Sequence, residues 1–490
     1  MKRLFSLLVA TMMILMTLNL PVFAEDDPVT IVYYNDALTT EGSNPDVVAR
    51  VQQLILDETG VLVKAIVPNG NEDLKLTSLL AANEQIDLFV GDMNLFKSMG
   101  AIIPLNDLID NYGQNLLKAW PENAWTSLTD SEGNIWATPR LVSSTPYPTM
   151  IRGDWLEALG LEAPADIDEF EAILEAFAEM EPTVRGDIIP LMTDYDGLRY
   201  GLLGAFTEYG NSNWYDEESD EIRPVEINPA YKDFLEKVYD WYQKGYIYKE
   251  AFTADVNSRT TLVKENRVGA GIIWYSRFFS VLAALQNEVP EAEYIITPFT
   301  GDMGKTESLN VVAGTGYVIT KSCKNPEAVM TFLNWGFGSY DNYLTSRYGI
   351  KDEHWSYVRN DEEMVVVNVN TSCGYNGEFV TQGYSSSPSQ PQLGSSDPAK
   401  KSMYDYIGTY YYDYDRVKYP FDFGVTYNTG ELTERVETYG DISRMMKEES
   451  IKFMTGARPI DEYDAFIEEL YSMGLQNYID ELTRQYYLAK

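Results

Sequence analysis

Apolar and polar positions fall into two periods along the first third of the chain. Val29 to Tyr34 (VTIVYY) is a short β-branched and aromatic run that opens into the polar pair Asn35-Asp36, the pattern of a buried strand. Val47 to Glu58 has helical spacing behind Pro45, Gly60 ends it, and Val61 to Val67 returns to strand. Leu74 to Asn83 predicts a second amphipathic helix, and Ile86 to Val90 a third strand closing at Gly91-Asp92. Strand and helix alternating through short links predict a parallel sheet with helices on its faces, an α/β fold. Ligands of such sheets sit beyond the carboxyl ends of the strands, which places Asn35, Asp36, Asp92 and Met93 at the candidate site.

A second unit follows, with no internal repeat apparent in the sequence. Helical stretches at Met150 to Phe170 and Glu236 to Asp255 stop on Gly160 and Gly245, positions suited to a left-handed residue. Asp154 with Glu157, and Asp166 with Glu169, have the spacing in which a helix-start side chain and a later carboxylate satisfy each other's backbone N–H groups. Asn211 to Asp220 is a polar excursion carrying Trp214 and Tyr215. Val268 to Tyr275 reads as a strand ending in paired aromatics, and Tyr294 to Thr300 and Gly316 to Thr320 as strands leading back to the first unit. Residues 382–398 are rich in Ser, Pro, Gly and Gln, a long loop, and Asp461 to Tyr487 is helical and acidic.

Composition narrows the function. The chain has 490 residues, too long for one ordinary core, so two domains or one large α/β unit are expected. Lys2 and Arg3, an apolar run to about Leu20 and then Val22-Phe23-Ala24 predict a secretory signal cleaved after Ala24, against the rival of an uncleaved anchor. Removing residues 1–24 leaves 35 cations against 75 carboxylates, a net charge of −40 that repels nucleic acid. Cys323 and Cys373 are the only cysteines and His354 the only histidine, so a thiolate metal cluster and a His-rich zinc site are not expected; neither metal nor cofactor is. The two cysteines could form one bridge or stand as two thiols.

The order of motifs resembles one family. Ile103-Pro104-Leu105-Asn106-Asp107-Leu108-Ile109, Gly133 to Pro139, Arg152 with Asp154-Trp155-Leu156 and Leu159-Gly160-Leu161 stand in sequence. Leu235 to Thr253, Val268-Gly269-Ala270, Tyr294 to Pro298, Gly316 to Trp335 and Tyr348-Gly349-Ile350 follow. Together they resemble the extracellular solute-binding proteins of family 1, the carbohydrate type that serves ABC importers, in its long lipoprotein-like branch. The resemblance implies a two-lobed periplasmic-binding-protein-like fold with hinge strands and a ligand cleft between the lobes. It implies a first lobe of residues 25–145 plus about 301–350, and a second of 146–300 plus about 351–490. It also implies an exported, monomeric protein, not an enzyme, that captures a sugar, with an oligosaccharide favoured, and hands it to a membrane permease. The alternatives are a secreted glycoside hydrolase and a ligand-presenting partner of a membrane sensor. Relatives commonly carry a lipid-bearing cysteine at the cleavage point, where Ala24-Glu25 supplies none. Many also carry a calcium loop, where Glu181 to Ile188 is short and poor in oxygen ligands, so no structural calcium is expected there.

Sugar sites combine aromatic faces with planar polar groups that hold hydroxyl pairs. Trp274 and Tyr275 at a strand end, Trp214 in a polar loop, and Arg140 at the boundary between lobes are the candidates beside Asn35, Asp36 and Asp92. Asp194 and Asp196 flank Tyr195 after a strand; Asp194 joins the candidates, with a solvated loop as its plainer role. Trp155 and Trp335, at helical spacing among apolar neighbours, are expected in the core.

Overall fold

A computed structural model describes residues 28–35, 43–68, 72–82, 84–120, 122–140, 146–297, 314–362, 364–381, 392–394, 403, 420–422, 425 and 427–489. Asp36, the signal segment and nearly all of the 382–398 loop lie outside them. The strands in chain order are β1 Val29–Tyr34, β2 Val61–Ile66, β3 Leu88–Asp92, β4 Thr149–Arg152, β5 Ile189–Thr193, β6 Trp214–Asp216 and β7 Glu221–Arg223. They continue with β8 Val268–Ile272, β9 Tyr294–Thr297, β10 Thr315–Ile319, β11 Trp355–Asn360, β12 Met364–Val369 and β13 Gln392–Gly394.

Two mixed sheets organise the chain. The first runs β10-β3-β1-β2, with β1 parallel to β2 and β3 and the returning β10 antiparallel to β3. The second runs β5-β8-β4-β9, with β5 parallel to β8 and β4 antiparallel to both its neighbours. Both faces of each are covered, because successive residues of a strand point to opposite sides. Tyr33 and Tyr34 enter different hydrophobic clusters, and so do Met150 and Ile151. The clusters around the two sheets define two α/β lobes.

Local signals act as the sequence predicts at most element ends. Asp166 accepts hydrogen bonds from the N–H groups of Asp168 and Glu169, while the Glu169 carboxylate accepts from Ala165 N–H at 2.7 Å. Gly160 and Gly245 are left-handed, with φ of 68° and 78°. Asp154 departs from expectation. It lies inside the first turn of the helix Gly153–Leu159 and makes no cap; its carboxylate takes a two-pronged ion pair from Arg152, at 2.7 and 2.6 Å. Arg152 is wholly buried, donates also to Asn266 Oδ1 at 2.6 Å, and lies over the Trp155 ring at 4.4 Å. A buried guanidinium needs a full set of acceptors, and that demand outweighs the capping preference of Asp154. The Arg-Gly-Asp tripeptide at 152–154 is thus internal structure. Trp155 and Trp335 are core residues, as expected.

The segment after residue 351 packs differently from the expected boundary. Trp355, Val365, Tyr375, Phe379 and Val380 join the core of the first sheet. Tyr33 in β1 donates its hydroxyl to Val380 O at 2.9 Å, which ties this segment to the first lobe and not the second. The C-terminal helices Tyr439–Thr455, Tyr463–Ser472 and Leu475–Ala489 do join the second core, through Phe453, Phe466 and Ile479.

Candidate functional site

Register fixes which sheet edges can meet a ligand. In the second sheet Thr149 pairs with Ile272 and Thr297, and Thr193 with Ile272, so the ends of β5 and β8, the start of β4 and the end of β9 lie along one edge. In the first sheet Thr315 pairs with Asp92, so the start of β10 lies beside the carboxyl ends of the parallel strands. The chain passes from Arg140 beside the first sheet to Thr149 in the second, a stretch that spans at most about 30 Å when fully extended. It returns from Thr297 to Thr315. The chain thus crosses between the two sheets after Arg140 and again after Thr297.

The second-lobe edge carries an aromatic platform. Tyr147 and Tyr200 stack with centroids 5.0 Å apart and planes 12° from parallel, and Trp274 meets Tyr147 edge-on at 5.7 Å. Tyr275 lies beside Trp274 at 5.8 Å, and its N–H donates to Pro146 O. Trp274 and Tyr275 sit just past β8, in the turn before the helix Ser276–Gln286, which frees both from strand alternation. Tyr200 arrives on the helix Tyr195–Gly201, whose close seat depends on two glycines. A Cβ at Gly197 would stand 2.1 Å from Ile272 O, and one at Gly201 2.4 Å from Tyr147 O. The spacing of four residues between these glycines is the sequence signal that could have revealed Tyr147 and Tyr200.

Charged groups ring the platform. Burial, then the carboxylates of Asp196 and Asp194 and the Tyr200 hydroxyl, push the Tyr147 phenol well above its usual range, against the Arg277 guanidinium. Tyr147 therefore keeps its proton and can donate. Asp194 is committed: it accepts from Gly197 N–H at 2.7 Å and pairs with Arg259. Asp196 is exposed at the same edge.

Other expected residues are placed as follows. Asp92 ends β3 and accepts from Leu95 N–H at 2.9 Å, capping the helix Met93–Ser98. Asn35 is fully buried, and its amide donates to Glu378 O at 3.0 Å and Gly377 O at 3.4 Å. That side chain ties β1 to the later segment. Arg140 is partly buried beside Thr138, which bridges to Tyr317. Trp214 lies in the β6–β7 hairpin under Arg223, 5.7 Å from the ring centroid, and borders a small cavity of about 80 Å³ lined by other residues than the platform.

A larger cavity of about 590 Å³ opens at the end of β3, a size usual for small-ligand sites. First-lobe residues Met93, Asn94, Lys97, Trp125 and Asp130 line one side, and Asn428, Glu431, Arg484 and Gln485 of the second lobe the other. Lys97 donates to Asp130 at 2.6 Å, Trp136 donates its indole N–H to the same oxygen at 2.7 Å, and Lys97 lies 5.1 Å from the Trp136 ring centroid. Burial raises the Asp130 carboxyl, but Lys97, Trp136 and Asn134 outweigh it and hold the group well below the usual carboxylate range. Arg484 pairs with Glu431 and with Glu481. Sequence periodicity gave no sign of this cavity, because its two walls come from segments some 300 residues apart. The Glu181 to Ile188 loop closes as a tight turn through mutual N–H to O bonds of Thr183 and Gly186, and Arg185 pairs with Glu288. Among the described residues no group of three or more His, Cys, Asp or Glu is gathered for a metal ion. Cys323 and Cys373 are both free thiols.

Two α/β lobes, a cavity walled by residues of both and an aromatic cluster at one sheet edge are the features of a binding protein. The sequence model of the bacterial extracellular solute-binding protein family matches residues 41–339, and the chain belongs to that family. Among its relatives, the fructooligosaccharide ABC transporter substrate-binding protein FusA of Streptococcus pneumoniae serotype 4 is 28% identical over 200 residues, 37% of each chain. The structure of FusA with kestose has a TM-score of 0.63 at 20% identity, covering 94% of this chain and 98% of that one. The polygalacturonan/rhamnogalacturonan-binding protein YtcQ of Bacillus subtilis is 24% identical over 212 residues, 41% of this chain and 42% of that one. An extracellular solute-binding protein of Bifidobacterium longum subsp. infantis has a TM-score of 0.71 at 16% identity, covering 95% and 99%. The sequence matches to curated relatives span 37% to 60% of those proteins' lengths. Among the described residues no helix is long and apolar enough to cross a membrane.

Proposed function

We propose that this protein is the substrate-binding component of an ABC importer, which closes its lobes on a sugar or oligosaccharide outside the cell and delivers it to a membrane permease. The observation that carries the reading is the platform of Tyr147, Tyr200, Trp274 and Tyr275 at the edge of the second sheet where β5 and β8 end. Aromatic faces take the C–H side of a pyranose or furanose ring, and Asp196 and the Tyr147 hydroxyl can hold ring hydroxyls. Sugar-named relatives such as FusA and YtcQ support the ligand class. Asp92 caps the helix that opens the first-lobe wall, so it positions Met93 and Asn94 at the cleft while Trp274 meets the ligand. Arg140 and Trp214 are proposed as flanking groups. The protein is exported with its signal removed after Ala24, acts as a monomer, and turns nothing over.

The test is calorimetric titration with a saccharide panel, followed by chromatography of the recovered ligand. One-to-one heat with the saccharide recovered intact is expected. Shortened saccharide in the eluate would refute the binding reading in favour of hydrolysis, and absence of heat with every saccharide would refute the ligand class.

A further inference from the structure

The charges around the cleft carry a further step that rests on the saccharide reading. The cavity wall holds three carboxylates, Glu122, Asp130 and Glu431, against two cations, Lys97 and Arg484. Both cations are already spent. Lys97 is paired with Asp130, which further hydrogen bonds from the Trp136 indole N–H, Glu132 N–H, Asn134 N–H and the Asn134 side-chain amide hold in place. Arg484 is clamped between Glu431 and Glu481. At the platform, Arg259 is paired with Asp194 and donates to Ala254 O, and Arg277 acts on the Tyr147 hydroxyl alongside the carboxylates of both Asp194 and Asp196. Arg140 makes an interaction of its own.

A ligand carboxylate entering this cavity meets, among the described residues of its wall, only cations that it would have to take from a carboxylate of the protein. That exchange leaves a protein carboxylate without its partner in a partly buried site, and it adds a negative charge to a molecule of net charge −40 once residues 1–24 are removed (35 cations against 75 carboxylates). A neutral saccharide meets no such penalty. Its hydroxyls both donate and accept, so they can bond to Asn94, Asn428 and Gln485 on the cavity walls and to the outer oxygens of paired carboxylates without breaking a pair. We infer that this cavity is built for uncharged oligosaccharides and discriminates against uronates and other anionic sugars, the closed pairs Lys97–Asp130 and Arg484–Glu431 being the discriminating elements.

The experiment is titration of the intact secreted chain, at low and at high salt, with paired panels of neutral oligosaccharides and of oligouronides that share their backbone linkages. Neutral ligands are expected to bind, and their uronide counterparts to bind about tenfold or more weakly at low salt, with the gap narrowing as salt rises. Asp130→Asn frees Lys97, so it should narrow the gap by strengthening the uronide while the neutral ligand changes less, whereas Glu431→Gln leaves Arg484 on Glu481 and should narrow it less. Circular dichroism establishes that each variant is folded, and Glu122→Gln, which frees no cation, is the comparison. Uronides bound as tightly as their neutral counterparts, or more tightly, overturn this inference and leave the saccharide reading standing. Silence toward both panels overturns the saccharide reading and this inference with it.

Discussion

Replacing Gly197 by alanine tests how the aromatic platform is assembled. Gly197 lies near the start of the helix Tyr195–Gly201, and an added Cβ would stand 2.1 Å from Ile272 O and 2.9 Å from Thr193 Oγ1. Helix propensity alone favours alanine by about 1 kcal/mol. The obstacle, however, is the backbone of a central strand, which no side-chain rotation relieves. The helix must retreat by about 1 Å, and overpacking of that kind costs about 1–3 kcal/mol. Retreat also disturbs the hydrogen bond from Thr193 Oγ1 to Ile272 O, now 2.8 Å. The net expectation is a loss of about 1–2 kcal/mol, together with weaker saccharide binding, because Tyr200 moves away from Tyr147. Gly440, in the first turn of the helix Tyr439–Thr455, is the control: nothing lies within 4 Å of a Cβ there, so Gly440→Ala should be neutral or stabilising by up to about 1 kcal/mol. Urea unfolding followed by circular dichroism gives both stabilities, and calorimetry gives the affinity. A Gly197→Ala protein as stable as the parent and unchanged in affinity would refute the claim that this close approach seats the platform.

Trp274→Ala should lower saccharide affinity by about tenfold while the urea midpoint stays nearly unchanged, since the ring is partly exposed beyond β8; an unchanged affinity removes Trp274 from the site. Arg152→Ala strands the Asp154 carboxylate and empties a buried site, so a loss of about 3–5 kcal/mol is expected in urea unfolding. Burial raises the Glu171 carboxyl, but hydrogen bonds from Lys244 and Lys237 outweigh it and hold the group at about 2. Its folded value lies below its ordinary 4.5, so its stabilisation is complete above that pH and is lost as pH falls through about 2; Glu171→Gln should flatten this acid limb, measured as urea midpoints from pH 7 downward. Burial pushes the Cys323 thiol up to about 12, so a thiol reagent at pH 8 should label it only after denaturant is added, read by mass spectrometry of the labelled peptide.

Local sequence signals determined the elements and much of the class. The runs at Val29 to Tyr34 and Ile86 to Val90, the stops at Gly60, Gly160 and Gly245, and the Asp166–Glu169 box act through neighbours a few residues away, so their physics is contained in the sequence itself. The order of strands and helices then sufficed for a parallel α/β sheet, and the resemblance of the ordered motifs to a known family implied the two lobes. Pairing over long distance was beyond that reach. The platform needs Tyr147, Tyr200 and Trp274 to meet at one sheet edge, which register and the glycine contacts decide. Segment 355–380 has the composition of either lobe, and only its packing against Tyr33 and Asn35 assigns it to the first. Asp154, Asp194 and Asn35 have side chains that suit a cap, a ligand or an internal bond equally well. The tertiary structure chose among these uses, because a buried polar group is held by whichever partner the fold brings within reach.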